Sequence, residues 1–385
     1  MPDLAALTRN AVKVLPEGEL ERKLALGRPL RVKLGIDPTA RDIHIGQAIP
    51  LQRMRAFQDQ GHTGILIVGD YTARVGDPSG RSKERQVMSG EQIDENAARY
   101  FEQALRILDR DRSELRFNSE WLGKLDFGEI LRLTRTITVS RLLERNDFER
   151  RFKTNQPISV SEFLYPLMQA YDSVAIKADV ELGGTDQEYN LLTGRDVQIA
   201  YGQEPQVALT TPLINGPNGV DKMSASLGNY IGIDDPPVEM YGKAMSSVDE
   251  LMPDYYRLCL EADAPPSADP YAAKREFARR LVERWHGAEA AAAAEAAFDR
   301  QFKQGRAAED APRIRLPAGD PIHMPALLAE HGLAGSRGEA RRLISQGGVR
   351  IDGTPLGAGE LDVSRDRLEG AELRVGRRFA VIERG

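Results

Sequence analysis

Asp42-Ile43-His44-Ile45-Gly46-Gln47, near the start of the chain, and Asp221-Lys222-Met223-Ser224-Ala225-Ser226, past its middle, combine residue types suited to holding phosphate. The first string follows an apolar, strand-like run and opens an amphipathic pattern, so it sits at a strand-to-helix junction. A helix N-terminus offers unpaired N–H groups and the positive end of the helix dipole to an anion. The His44 imidazole adds a donor there, and Gly46 removes a side chain that would block close approach to the backbone. The second string lies between Gly219 and Gly228. Its Lys222 ammonium and the Ser224 and Ser226 hydroxyls, on a flexible loop, can close over a triphosphate. Taken singly, each string also suits a plain surface role, a capping histidine or a solvated turn. A helix opening paired with a distant lysine loop points to ATP.

Other polar groups share this pattern of local order. Tyr165, Gln169 and Asp172 fall at i, i+4 and i+7, on one face of a helix that Ser161 is expected to cap. A phenol, an amide and a carboxylate on one stripe can line a polar pocket, although most such stripes are wet faces. Asp186-Gln187 follow Gly183-Gly184, where a new helix is expected to begin. Gly76 to Arg81 form a tight turn, whose Asp77 matters only where the loop faces the carboxyl edge of a sheet. Arg337, Arg341, Arg342 and Arg350 are opposed only by Glu339 between Ser336 and Arg350. This is a local basic patch in a chain of formal charge −6, a balance that argues against a general nucleic-acid coat.

The elements that must position these groups follow from periodicity. At 385 residues the chain is expected to form two or three domains. Residues 30–36 alternate like a strand, Gly46 to Gln60 follow a helical period, and residues 64–69 form a short apolar strand. Strand, helix and strand make a right-handed βαβ unit with parallel strands. Helical patterns follow at 91–109, 127–150 and 160–174, and the whole reads as a doubly wound sheet through about residue 233. Asp234-Asp235-Pro236-Pro237 ends that pattern; residues 238–305 are helical, and the stretch from Ala307 to Asp320 suits a linker. Residues 321–385 hold two short helical patterns, a strand and turn at 349–353, and a terminal strand. Five histidines and one cysteine offer no zinc cluster, and the lone Cys259 excludes an internal disulfide. No apolar run is long enough to span a bilayer and no secretory signal is visible, so a reducing cytoplasm is expected.

On these residues the chain resembles the bacterial tyrosyl-tRNA synthetases, which are class I aminoacyl-tRNA synthetases. His44-Ile45-Gly46-Gln47 is similar to the family's HIGH signature and Lys222-Met223-Ser224-Ala225-Ser226 to its KMSKS loop. Gly35-Ile36-Asp37-Pro38-Thr39, Gly76-Asp77-Pro78-Ser79-Gly80, Gln169-Ala170-Tyr171-Asp172 and Gly183-Gly184-Thr185-Asp186-Gln187 stand in family order. The arginine-rich stretch through Asp352-Gly353 resembles an S4 RNA-binding domain. The resemblance implies an α/β protein with a Rossmann-like doubly wound parallel-sheet catalytic domain over residues 1–233, including a dimer-forming insertion at about 115–155. It further implies an all-α anticodon-arm domain at 234–306, a linker at 307–320 and a small α+β S4 domain at 321–385.

The implied reaction joins L-tyrosine to ATP as tyrosyl-adenylate, releasing pyrophosphate, then passes tyrosine to the 3′-terminal adenosine of tRNA(Tyr). By the same resemblance His44, Gln47, Lys222 and Ser224 are catalytic. Asp37, Thr39, His44, Gly46, Gln47, Asp186, Lys222 and Ser226 surround ATP. Asp77, Tyr165, Gln169, Asp172 and Gln187 hold tyrosine, with Asp172 facing its phenol and Gln187 reaching the adenylate. Arg337, Arg341, Arg342 and Arg350 bind RNA. ATP is a substrate and brings Mg2+; no resident metal, no membrane and a cytoplasmic homodimer are expected. Three residues depart from the family. Gln47 replaces the second histidine of HIGH, and Ala225 replaces the second lysine of KMSKS. Lys33 stands where part of the family has a tyrosine. Arg81, Lys83 and Arg85 are candidates to replace the lost positive charge. The rival readings are a tryptophanyl-tRNA synthetase and an activation-weakened paralogue that mainly binds RNA or a tyrosine-like ligand.

Overall fold

A computed structural model describes residues 2–38, 42–76, 90–302, 311–376 and 378–383. Thr39, Asp77, Arg81, Lys83 and Arg85, and the first part of the 307–320 stretch, lie outside the described residues. The chain divides into two compact units, Met1–Asp235 with Lys243–Phe277, and Pro236–Gly242 with Ala278–Gly385.

In the first unit six short segments pair into one sheet: β1 (Lys13–Leu15), β2 (Arg31–Ile36), β3 (Thr63–Val68), β4 (Ser113–Phe117), β5 (Val180–Gly184) and β6 (Val207–Thr211), in the order β1-β6-β5-β2-β3-β4. Strands β2 to β6 run parallel, in register from Val32 against Gly64 and Val180 at the centre, and only the edge strand β1 is antiparallel. The doubly wound sheet expected from the alternating strand and helix patterns is what forms. The chain winds outward through β3 and β4, returns, and winds the other way through β5 and β6. The winding therefore reverses between β2 and β5, the place where open α/β sheets bind ligands at their carboxyl ends. Strands buried on both faces explain the apolar runs Ile65–Val68 in β3 and Val207–Leu209 in β6. Two charged residues are exceptions, Lys33 in the middle of β2, 0 % exposed, and Glu181 in β5, 1 % exposed.

Several helices differ from the sequence expectation. Ser159, not Ser161, caps the Val160–Ile176 helix, in a capping box with Glu162. The 127–150 pattern breaks into the helices Phe127–Thr134, Val139–Leu142 and Asn146–Lys153. The β-branched run Thr136-Ile137-Thr138 disfavours continuation, and the Thr138 hydroxyl accepts from Arg141 N to start a new helix. Strand β1, three residues long, carries too little pattern to be read in advance.

The second unit includes the Ala288–Phe302 helix, in which Ala291, Ala294 and Ala297 are buried at helical spacing. Past it, Arg313–Ile314, Val349–Ile351, Thr354–Pro355, Glu372–Val375 and Arg378–Ile382 form a five-stranded sheet. The helices Met324–Glu330 and Arg337–Ser345 share a core with it, built on Leu328, Ile344, Val349, Leu373 and Ala380. Among the described residues no helix is long and apolar enough to cross a membrane.

Candidate active site

Polar residues collect where β2, β3, β4 and β5 end. Asp37, just past β2, accepts from Thr72 Oγ1 at 2.9 Å and from the Tyr165 hydroxyl at 3.0 Å. Asn118, just past β4, donates from Nδ2 to Thr72 Oγ1 at 3.2 Å and to Asp172 Oδ2 at 3.4 Å. Trp121 Nε1 donates to the other carboxylate oxygen of Asp172 at 2.8 Å. The chain of contacts Tyr165–Asp37–Thr72–Asn118–Asp172 thus begins and ends on one helix, on the stripe that the i, i+7 spacing defined. Asp172 is 3 % exposed, and burial pushes its carboxyl up to about 7 against the opposing effects of the Lys33 charge and the Trp121 and Asn118 donors.

Gly69, at the end of β3, makes this arrangement possible. A Cβ there would run into Asp37 Oδ1 and Thr72 Oγ1. Gly69→Ala is therefore expected to part Asp37 from Thr72, costing about 1–3 kcal/mol of stability by overcrowding. Thermal melts on the variant check this, and an unchanged melting temperature would show that the Asp37–Thr72 contact is dispensable.

Beneath the stripe, Lys33 Nζ donates to the Gln169 carbonyl oxygen at 2.8 Å, to Ser173 Oγ at 2.8 Å and to Glu181 Oε1 at 2.9 Å. An ammonium has three donors, and all three are taken, so Lys33 serves the helix and β5 and has none left for a ligand. Gln169, half-buried, turns its Nε2 to Glu181 Oε1 at 3.1 Å.

The phosphate-binding candidates converge from two loops. His44 is the N-cap of the Ile45–Asp59 helix: its Nδ1 accepts from Gln47 N at 3.2 Å while Gln47 Oε1 accepts from His44 N at 3.1 Å. The residue that departs from the signature is thus the partner in a capping box. Burial, with the nearby Lys222 charge adding to it, lowers the His44 pKa to about 4, so the ring is neutral at pH 7. With Nδ1 an acceptor, the proton sits on Nε2, which is left as a donor. Gln47 likewise keeps its Nε2. Gly46 is tight: a Cβ would lie 3.1 Å from His44 Nδ1 and 3.2 Å from Ile214 Cγ1.

Residues 231–233 bond to 43–45, with Ile45 N donating to Ile231 O and Ile233 N to Ile43 O, which brings the lysine loop to the helix start. The loop folds on itself through the Asn215–Lys222 and Ser224–Asn229 bridges. Lys222 Nζ donates to Asp186 Oδ2 at 2.6 Å, and the Ser224 and Ser226 hydroxyls lie 2.8 Å apart. Ala225 opens a single 3-10 turn. Asp186 and Gln187 occupy a 3-10 turn before the Glu188–Ala200 helix, and Gln187 Oε1 accepts from Asn190 at 2.8 Å.

The structure therefore links Asp37, Tyr165 and Asp172 through one chain of hydrogen bonds, places Gln169 in a separate cluster with Lys33 and Glu181, pairs His44 with Gln47, and joins Lys222 to Asp186. Arg337, Arg341, Arg342 and Arg350 belong to the second unit, all exposed, on the Arg337–Ser345 helix and the following strand. Arg374 faces Arg350 across the strand pair and was not singled out in the sequence. Thr72, Asn118, Trp121 and Glu181 were missed too. For Asn118 a signal existed: a polar residue directly after a parallel strand sits at the carboxyl edge of the sheet.

Residues 25–303 match the family described as tRNA synthetases class I (W and Y), and residues 325–360 match the S4 domain. The tyrosine–tRNA ligase of Oleidesulfovibrio alaskensis is 48 % identical over 375 residues, covering 93 % of this chain and 94 % of that protein. The tyrosine–tRNA ligase of Moorella thermoacetica is 48 % identical over 390 residues, covering 97 % of this chain and 94 % of its own. Among solved structures, a C-terminally truncated Aspergillus nidulans mitochondrial tyrosyl-tRNA synthetase superposes with a TM-score of 0.62 at 23 % identity, over 76 % of this chain and 92 % of that one, a likeness of fold. With both signature strings at the carboxyl edge of a doubly wound sheet and an S4 match later in the sequence, the chain belongs to the tyrosine–tRNA ligase family of class I tRNA synthetases.

Proposed function

We infer that this protein activates L-tyrosine with ATP and transfers it to tRNA(Tyr). The observation that supports this reading best is the helix stripe of Tyr165, Gln169 and Asp172, whose two ends are joined through Asp37, Thr72 and Asn118, in the same sheet unit as a helix start that keeps two side-chain donors. The tyrosine carboxylate is itself the nucleophile, so the reaction needs no general base. Rate comes from alignment and from stabilising charge on the pentavalent phosphorus and the leaving pyrophosphate. His44 Nε2–H and Gln47 Nε2 donate to phosphate oxygens at the helix N-terminus. Lys222 leaves Asp186 for the more highly charged triphosphate, assisted by Ser224 and Ser226. At the other end Asp172 accepts from the substrate phenol beside Tyr165, and Gln169 and Asp77 accept from its ammonium. Asp37, Thr39, Asp186 and Gln187 line the adenylate.

Mg2+ is proposed as a companion of the ATP phosphates: among the described residues no group of three or more His, Cys, Asp and Glu side chains could hold an ion of its own. Residues 1–233 are proposed as the catalytic domain, 234–306 as an anticodon-arm domain joined by 307–320 to the S4 domain at 321–385, with Arg337, Arg341, Arg342 and Arg350 on the RNA. A cytoplasmic homodimer is proposed through the 115–155 region, where Phe127, Leu131, Val139 and Phe152 are large apolar side chains left exposed.

Tyrosine-dependent ATP–pyrophosphate exchange, run in parallel with tryptophan and phenylalanine, tests the reading: exchange with tyrosine alone is expected, and none above background would overturn it. Ala225→Lys adds a donor on the lysine loop. Since one such donor is worth roughly 10²–10³ in rate, exchange should rise by at least about tenfold. An unchanged rate would show that other residues hold the pyrophosphate.

A further inference from the structure

Glu181, in the middle of β5, is 1 % exposed and receives four donors. Lys33 Nζ at 2.9 Å and Gln169 Nε2 at 3.1 Å reach Oε1, while Ser173 Oγ at 3.3 Å and Gln206 Nε2 reach Oε2. No step of the reaction above uses it. Stability alone is a weak reason for such a pair, because exchanging a buried ion pair for apolar residues is often neutral. Its geometry is more specific. A carboxylate only accepts, so the Gln169 amide must turn its NH2 toward Glu181. The Oε1 edge of that half-buried amide then faces away from Glu181, available to a donor. Lys33, bonded to the Gln169 carbonyl oxygen at 2.8 Å, pins the backbone from which this side chain grows. A free glutamine can offer either edge to a ligand; a tethered one offers oxygen.

We propose that the Lys33–Glu181 pair is a positioning device that holds Gln169 with its amide oxygen toward the ligand, so that the site selects a ligand carrying an amine over the same ligand without one. This rests on the tyrosine-binding reading given above. Neither Lys33 nor Glu181 touches the substrate; both act through Gln169.

The double variants K33M/E181M and K33M/E181Q remove the charge pair as a unit. Only the second keeps an oxygen for Gln169 Nε2. Gln206, whose Oε1 is buried without a partner, can turn its amide to receive the new NH2. Titration calorimetry on the full chain would compare L-tyrosine with 3-(4-hydroxyphenyl)propionate, the same skeleton without the amine. K33M/E181M is expected to weaken tyrosine about tenfold, the scale of one hydrogen bond to a charged group. It should leave the propionate within about twofold and raise KM for tyrosine but not for ATP, and K33M/E181Q should recover most of the loss. Equal weakening of both ligands, or tyrosine binding unchanged in K33M/E181M, would overturn the proposal. Should K33M/E181M not fold, side-chain amide exchange in the ¹⁵N-glutamine-labelled wild type gives the answer. Protection of the Gln169 NH2 without ligand supports the tether, and exchange at the free rate overturns it. Failure of the wild type to bind tyrosine at all would instead overturn the proposed function.

Discussion

Asp172→Asn is expected to lower kcat/KM for tyrosine in ATP–pyrophosphate exchange by about 10–100-fold at pH 8, the worth of a hydrogen bond to a charged acceptor. The carboxylate is buried, holds Trp121 Nε1 on one oxygen and Asn118 Nδ2 on the other, and faces the place proposed for the substrate phenol. The asparagine amide keeps the shape and gives up one acceptor and the charge. pH supplies a second signature. Because burial raises the Asp172 pKa from 3.8 to about 7, the carboxyl is largely protonated at pH 6 and ionised at pH 8. Wild-type kcat/KM should therefore climb across that interval, and the variant should be flat. The stability effect has the opposite sense. A folded-state pKa above the unfolded one means that Asp172 contributes most to stability below about pH 4, a contribution lost as pH rises through 7. The melting temperature of the variant relative to wild type should accordingly rise from pH 5 to pH 8. A wild-type profile without this climb would remove Asp172 from substrate recognition.

Lys33→Met should have the largest effect on stability. The ammonium and Glu181 are both buried, and removing one partner leaves the other charge in a dry interior with only neutral donors. Such a loss costs about 3 kcal/mol or more, which corresponds to a fall in melting temperature on the order of 10 °C. The K33M/E181Q double variant should regain most of it, because no unpaired charge remains. Lys33 also counters the burial of Asp172, so the pH profile of K33M should move to higher pH. A melting temperature within about 2 °C of wild type would show that the pair is solvated or replaceable.

Much of this was legible in the residues. Strands β2 and β3 and the helix between them follow from periodicity alone, and the Tyr165–Gln169–Asp172 stripe follows from helical spacing. Lys33 was less accessible: in the alternating run of residues 30–36 a lysine reads as the solvent face, and only the carboxylate of Glu181, on the neighbouring strand and far away in sequence, reverses that. Trp121 and Thr72 were hidden for a like reason, since each meets its partner across the fold and not along the chain, whereas Asn118 was marked by its place directly after a strand. Gln47 shows a different limit. As a signature residue it looked like a loss, yet its backbone and side chain complete the cap of the helix that carries His44. The Ser159 cap turned on competition between two nearby serines, and the broken 127–150 helix on a β-branched run with a new cap at Thr138, neither of which composition ranks.

The contacts Tyr165–Asp37–Thr72–Asn118–Asp172 start and finish on one rigid helix and pass over the ends of three strands. Mechanically this is a braced frame. Moving the helix away from the sheet would have to break bonds at both ends together, so the polar groups along it hold fixed separations. On the tyrosine-binding reading proposed above, such a frame would measure the length of an aromatic side chain against stationary posts. On that reading, admitting a longer ring substituent would require shortening one of the posts and not loosening the frame elsewhere.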